Sequence, residues 1–226
     1  MQDRNAPPLN PLPPVVWALA LPMIAMEVVV SAGAAGLVGG PMGVGWRLEA
    51  ITKAAFVPDL WREMLNLAQF PLHHVARLIS YPFVHGSPTH AVFAIVILLA
   101  LGKFVGEVFR WWALLVVFFA SAVVGAMVYG LVPDTTVPLF GAYPPGYGLI
   151  GAFTYITWLR LADSGGQYRA FSLIGMLLAV QLLFGVLFGG GWDWVADLTA
   201  FATGFLLSFV LAPGGFDRLR SRLRQR

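Results

Sequence analysis

The sequence predicts an all-α integral membrane protein, a bundle of six transmembrane helices with a long, partly helical first loop. Three observations predict it. Of 226 residues, 58% are hydrophobic and only 11% are charged, against roughly a quarter charged in an ordinary soluble domain. The mean hydropathy of +0.77 reflects more apolar surface than a soluble globule of this length could hide, which excludes that class. The apolar residues also gather into six separate segments of near-spanning length. Nucleic acid is not an expected partner, because the net charge is only +3 and the densest arginines sit at one end. The absence of cysteine excludes disulfides, thiolate metal sites and cysteine nucleophiles.

A Pro-rich stretch, Met1 to Pro14, precedes the first span, Val15 to Val38. It carries one Asp and one Arg, and the apolar run behind it is long enough to cross, so no secretory signal is expected. The connection Gly39 to Ser87 is unusually long and is not a polar linker. In it Leu60, Trp61, Met64, Leu65 and Leu67 fall at helical spacing after Pro58-Asp59, a helix start. Such a segment is expected to lie in the membrane interface against the bundle. The second span runs from Pro88 to Val108, the third from Trp111 to Val132, and the fourth from Pro145 to Leu161. The fifth covers Ala170 to Phe188 and the sixth Asp193 to Leu211. The fourth is short against the ~20 residues a span needs, so it is expected to begin inside the protein. Trp111, Trp112, Trp158, Trp192 and Trp194 stand at span ends, where amphipathic rings favour the interface. The domain plan is therefore an N-terminal segment 1–14, a membrane domain 15–211 with its long loop 39–87, and a basic tail 212–226.

Orientation follows from Lys and Arg. The tail carries Arg218, Arg220, Arg222, Arg224 and Arg226, which puts the C-terminus in the cytoplasm. Six spans return the N-terminus to the same side. The short turns there hold Lys103, Arg110, Arg160 and Arg169, while the opposite short turns, Pro133 to Pro144 and Gly189 to Trp192, hold neither. The long connection does carry Arg47, Lys53, Arg62 and Arg77 on the opposite side, where the rule is weaker. A bacterial inner membrane suits this arrangement. Lipid is an expected partner, and the tail is read as a topology determinant.

Ionisable groups inside spans are costly and are functional candidates by default. Glu27, His90, Glu107 and Asp197 qualify. Glu107 follows Lys103 by four residues, which predicts an interfacial ion pair or a helix cap. Glu27 predicts a hydrogen bond to a neighbouring helix. Asp197 is the sharpest, one turn from Asp193 on the same face. His73, His74, His85 and His90 could be drawn together around zinc, but the adjacent pair His73-His74 is a poor spacing, so no metal and no cofactor are expected.

The stretch Arg77-Leu-Ile-Ser-Tyr-Pro-Phe-Val-His85-Gly-Ser-Pro-Thr-His90 resembles the approach to the second helix of rhomboid intramembrane proteases. Gly141-Ala-Tyr143-Pro-Pro-Gly-Tyr147-Gly148 resembles their Gly-x-Ser-Gly segment, which opens the fourth helix. Ala196-Asp197-Leu-Thr-Ala200-Phe-Ala-Thr-Gly204 resembles the Ala-His-x-x-Gly-x-x-x-Gly stretch of the sixth. Together the motifs cover about Arg77 to Leu211. The resemblance implies the rhomboid fold, with a cavity between helices two, four and six built from His85, His90, Tyr143, Tyr147 and Asp197. It also implies that helix five is the loosely packed side through which a partner helix enters, which singles out Gln181 near its middle.

The departures are concentrated at the chemistry. Rhomboids use a Ser nucleophile on helix four and a His on helix six. The aligned positions here are Tyr143 and Asp197. The next residue is Pro144, without a backbone N–H to offer an oxyanion, and the Asn expected one turn after His90 is Ala94. No catalytic residue is therefore expected. Ser31, Ser80, Ser87, Ser121, Ser164, Ser172 and Ser208 lie in no Gly-x-Ser-Gly elbow. The expectation is an inactive rhomboid-like protein, similar to the rhomboid pseudoproteases, that binds transmembrane helices of client proteins. The alternatives are an accessory subunit of a membrane complex and an active protease with a displaced site. Asp197 is expected to be buried and bonded to His90, Tyr143 or Tyr147, and Gln181 either to face a partner helix or to bond within its own bundle.

Overall fold

The computed structural model describes residues 11–188 and 191–214. Most of the Pro-rich start and the arginine-rich part of the tail lie outside the described residues. Six long helices follow one another: α1 (Pro14–Ala34), α2 (Pro88–Gly106), α3 (Trp111–Gly130), α4 (Tyr143–Arg160), α5 (Ser172–Phe188) and α6 (Asp193–Leu211). Of these, α1, α2, α3 and α6 are long and apolar enough to cross a membrane. Helices α4, with 18 residues including two prolines and three tyrosines, and α5, with 17, fall short of that standard.

Local chemistry sets the boundaries. Proline occupies the first turn of α1, α2 and α4, where its fixed φ suits the helix and its missing N–H breaks no bond. Helix α1 stops at Ala34, short of the expected Val38, where Gly36 turns the chain with a φ of 72°. Helix α5 starts two residues late because Gln167–Phe171 winds as a 3₁₀ turn. Glu107 occupies the C-cap position of α2, where its backbone N–H donates to the Lys103 carbonyl, and its carboxylate makes no ion pair with Lys103.

Helix α4 lies at the centre of the bundle. Every residue from Pro144 to Ala152 is buried, in agreement with a short helix that begins inside the protein. Its most extensive pairing is with α6, followed by α3 and α2. Glycine permits this closeness. A Cβ at Gly204 would run into the Gly148 backbone, one at Gly151 into the Phe201 carbonyl, and one at Gly148 into Ser121. Lipid tails are as apolar as leucine, so helices associate through close packing rather than through water exclusion. Helix α1 packs on α2, with Val16 against the bare backbone of Gly102. The outward faces, including Val92, Phe93 and Leu206, are exposed apolar side chains suited to lipid.

The long connection winds through five short helices: Gly40–Gly43, Trp46–Ala54, Pro58–Leu67, Leu72–Val75 and Arg77–Ser80. The expected helix after Val57 is present, and it buries Trp61 and Met64. Trp61 lies over Gly130, where a Cβ would come within 2.5 Å of its ring. Phe56 and Leu139 exchange both backbone hydrogen bonds, at 2.9 and 2.8 Å, joining the connection to the loop before α4.

The basic residues of this connection have structural partners. Arg47 donates to both Glu27 carboxylate oxygens, at 2.6 and 2.9 Å, to Ser31 and to the His85 carbonyl. The partner of Glu27 thus comes from a neighbouring helix, as expected, the short Trp46–Ala54 helix of the connection. Arg62 donates to the carbonyls of Gly130, Val132 and Thr135, satisfying the end of α3. Arg77 donates to the Ala55 carbonyl, and Lys53 pairs with Glu49.

Gly204→Ala is expected to lower thermal stability, because overpacking typically costs about 1–3 kcal/mol. Gly175→Ala, whose new methyl would meet open space, should leave the melting temperature unchanged or slightly raised. Thermal unfolding of both variants in detergent checks the pair.

Candidate functional site

Helices α2, α4 and α6 bring their N-terminal ends together beside a cavity of about 260 Å³. Its lining includes His90 from α2, Tyr143 and Pro144 from α4, Gln181 from α5, and Asp193 and Asp197 from α6, beneath the segment 137–140. Four of the residues expected in the cavity, His90, Tyr143, Asp197 and Gln181, do converge there. His85 and Tyr147 do not line it.

Ser87 caps α2, its hydroxyl accepting from the His90 backbone N–H at 3.2 Å, and so holds His90 in the first turn. Gly141 shapes the opposite wall. Its φ of 93° lies in the left-handed region, and a Cβ there would meet the His90 ring at 2.5 Å. Two independent constraints therefore require glycine at this position. The His90 ring stacks on Tyr143 with centroids 4.8 Å apart and planes 24° from parallel. Gly86 N–H makes a long 3.5 Å bond to His90 Nδ1, while Nε2 is buried without a partner. The Tyr143 hydroxyl makes no hydrogen bond among the described residues.

His85 is buried, with its ring edge-on to His90 at 5.2 Å and its Nε2 unpartnered. Burial, reinforced by His90 and Arg47 and opposed by Glu27, holds its pKa down at about 4, so this imidazole is neutral at physiological pH. Tyr147 packs instead with Ile150, Ile174, Ala200 and Phe201, because α4 turns that face toward α5 and α6. Ala94, one turn below His90, is enclosed in the apolar core with Leu98 and offers no polar group. His74 lines a separate groove with Glu63 and Gln69.

Asp197 is only 4% exposed, as expected, but its partner is not. Its Oδ2 accepts from Gln181 Nε2 at 3.0 Å, and no bond joins it to His90, Tyr143 or Tyr147. Gln181 therefore points into its own bundle rather than out toward a partner. Its Oε1 is left buried and unpartnered. The bond matters for α5, the most thinly packed of the six helices among the described residues. Its first half touches the bundle through Ile174, Leu177 and Leu178, and Gln181 adds the polar tie beyond them.

Arg47 is the residue that sequence reasoning missed. The available signal was a basic side chain in the long connection, with a lone Glu27 in the preceding span.

A multi-helix membrane protein with a half-open cavity among its helix ends, lined by a few polar side chains and by the apolar segment 137–140, is the class that this fold and site define. The chain belongs to the rhomboid family: the model of the Rhomboid domain matches residues 72–214, from the end of the long connection through α6. A comparison with curated proteins gives no match.

Two outcomes follow from the geometry. Asp197→Leu leaves the Gln181 amide wholly unpaired and should destabilise by about 1–3 kcal/mol, read as a lower melting temperature in detergent. His85 binds a proton more readily unfolded than folded, so its contribution is complete above its ordinary pKa of 6.5 and is lost as pH falls toward about 4. The loss is on the order of 3 kcal/mol at the acid end. Melting curves at neutral and mildly acidic pH should show this decline in the wild type and a flatter one in His85→Gln.

Proposed function

We propose that this rhomboid-family membrane protein is a catalytically inactive member that binds transmembrane helices of client or partner proteins. The observation that carries the reading is the bonding at the two chemical positions. Tyr143 stacks on His90 and has no base against its hydroxyl, while Asp197 is tied to Gln181. Nucleophilic catalysis needs a hydroxyl activated by an adjacent base. A phenol with an ordinary pKa of about 10 is a poor substitute at neutral pH, and a carboxylate is too weak a base to activate it. Pro144 removes one oxyanion donor, and Ala94 offers none.

The remaining architecture suits recognition. A cavity carrying several polar side chains lies beside α5, and polar groups within lipid bond a neighbouring helix for about 0.6–2 kcal/mol each. In the same reading all six helices cross the membrane, α4 and α5 being sheltered by their neighbours, and both termini face the cytoplasm of a bacterial cell.

Incubation with rhomboid substrates should give no cleavage, and a serine-directed fluorophosphonate should give no label. Covalent labelling of any residue at the cavity would overturn the inactive reading.

A further inference from the structure

We infer that the cavity receives a lysine or arginine carried within the membrane-spanning helix of a partner, with Asp197 as its docking point. This inference rests on the helix-binding reading above and names the chemistry of the partner. Among the described residues the cavity is lined by two carboxylates, Asp193 and Asp197, and by no lysine or arginine. Asp193 is exposed at the start of α6, and Asp197 lies one turn deeper and almost fully enclosed. Among the described residues, the side-chain hydrogen bond to Asp197 comes from a neutral amide on α5. The arginines of the long connection are committed elsewhere, Arg47 to Glu27 and Arg62 and Arg77 to backbone carbonyls.

A buried carboxylate bonds more strongly to a cation than to an amide, because charge-assisted hydrogen bonds are roughly twice as strong as neutral ones. A lysine or arginine inside a lipid-facing span carries the opposite deficit, and one contact relieves both. One further polar atom on a lining residue lacks a partner, the carbonyl oxygen Gln181 Oε1. Once Gln181 Nε2 is displaced from Asp197, its Oε1 can accept from an ammonium or guanidinium group. Size points the same way. At about 260 Å³ the cavity falls below the roughly 300–1,000 Å³ of small-molecule sites. It suits one long side chain whose own helix stays outside, along α5, with the apolar stem spanning the gap.

The test uses the full-length protein in lipid nanodiscs and three Leu-rich spanning peptides that differ at one central residue: Lys, Gln or Leu. Binding is read by fluorescence transfer. The Lys peptide is expected to bind at least tenfold more tightly than the Leu peptide, with Gln between them. Asp197→Asn keeps the size and the hydrogen bond to α5 and should bring the Lys peptide down to the Leu level. Equal binding of the three peptides, or Lys selectivity that survives Asp197→Asn, overturns this inference and leaves the helix-binding reading standing. Binding of none of them overturns both.

Discussion

The backbone contact between α4 and α6 is the constraint on which the rest depends. In water, two apolar helices would be driven together by solvent exclusion. In lipid, that force is absent, and van der Waals contact at short range must replace it. Gly148, Gly151 and Gly204 allow the two backbones to touch, and this contact fixes how each helix is rotated. On α6, Asp197, Ala200 and Gly204 are three and four residues apart and share one face. Once Gly204 is pinned against Gly148, Asp197 must turn inward. On α4 the same contact leaves Tyr143, five residues before Gly148, at the same end of the bundle. A cavity bounded by these two side chains is a geometric consequence of where the glycines stand.

A second layer of organisation comes from arginine. Charge on this face runs against the trend set by the short turns, yet Arg47, Arg62 and Arg77 each place their guanidinium against oxygen acceptors. Arg62 terminates α3 in the role a water shell would otherwise play, and Arg47 joins α1, the connection and the approach to α2. Guanidinium is suited to both tasks because its rigid fork reaches several acceptors at once. Partnered in this way, these residues act as internal fasteners.

Much of this was legible in the sequence. Apolar runs, prolines and glycines located the helices to within a few residues, and Pro58-Asp59 announced the helix that buries Trp61. The enclosure of α4 followed from its shortness, and the burial of Asp197 from its placement within an apolar run. The partner of Asp197 was not legible. Gln181 lies on another helix, and whether its amide faces lipid or the bundle depends on the rotation of α5, which a uniformly apolar sequence leaves unspecified. Tyr147 failed for a similar reason, since a tyrosine one turn past the site can face the cavity or the neighbouring core. The link from Glu27 to Arg47 spans a chain reversal that no local periodicity records.

The clamp at Arg47 separates two kinds of boundary. The Rhomboid domain match begins at residue 72, yet Arg47 and Glu27 lie before it and the His85 carbonyl that Arg47 holds lies after. Val16 fills the groove over Gly102 from the same side. A fragment cut at residue 72 would leave that groove empty and the His85 carbonyl without its donor. The stretch matched by the family model is therefore smaller than the stretch that packs together, and residues 14–71 share contacts and hydrogen bonds with the helices that carry the site.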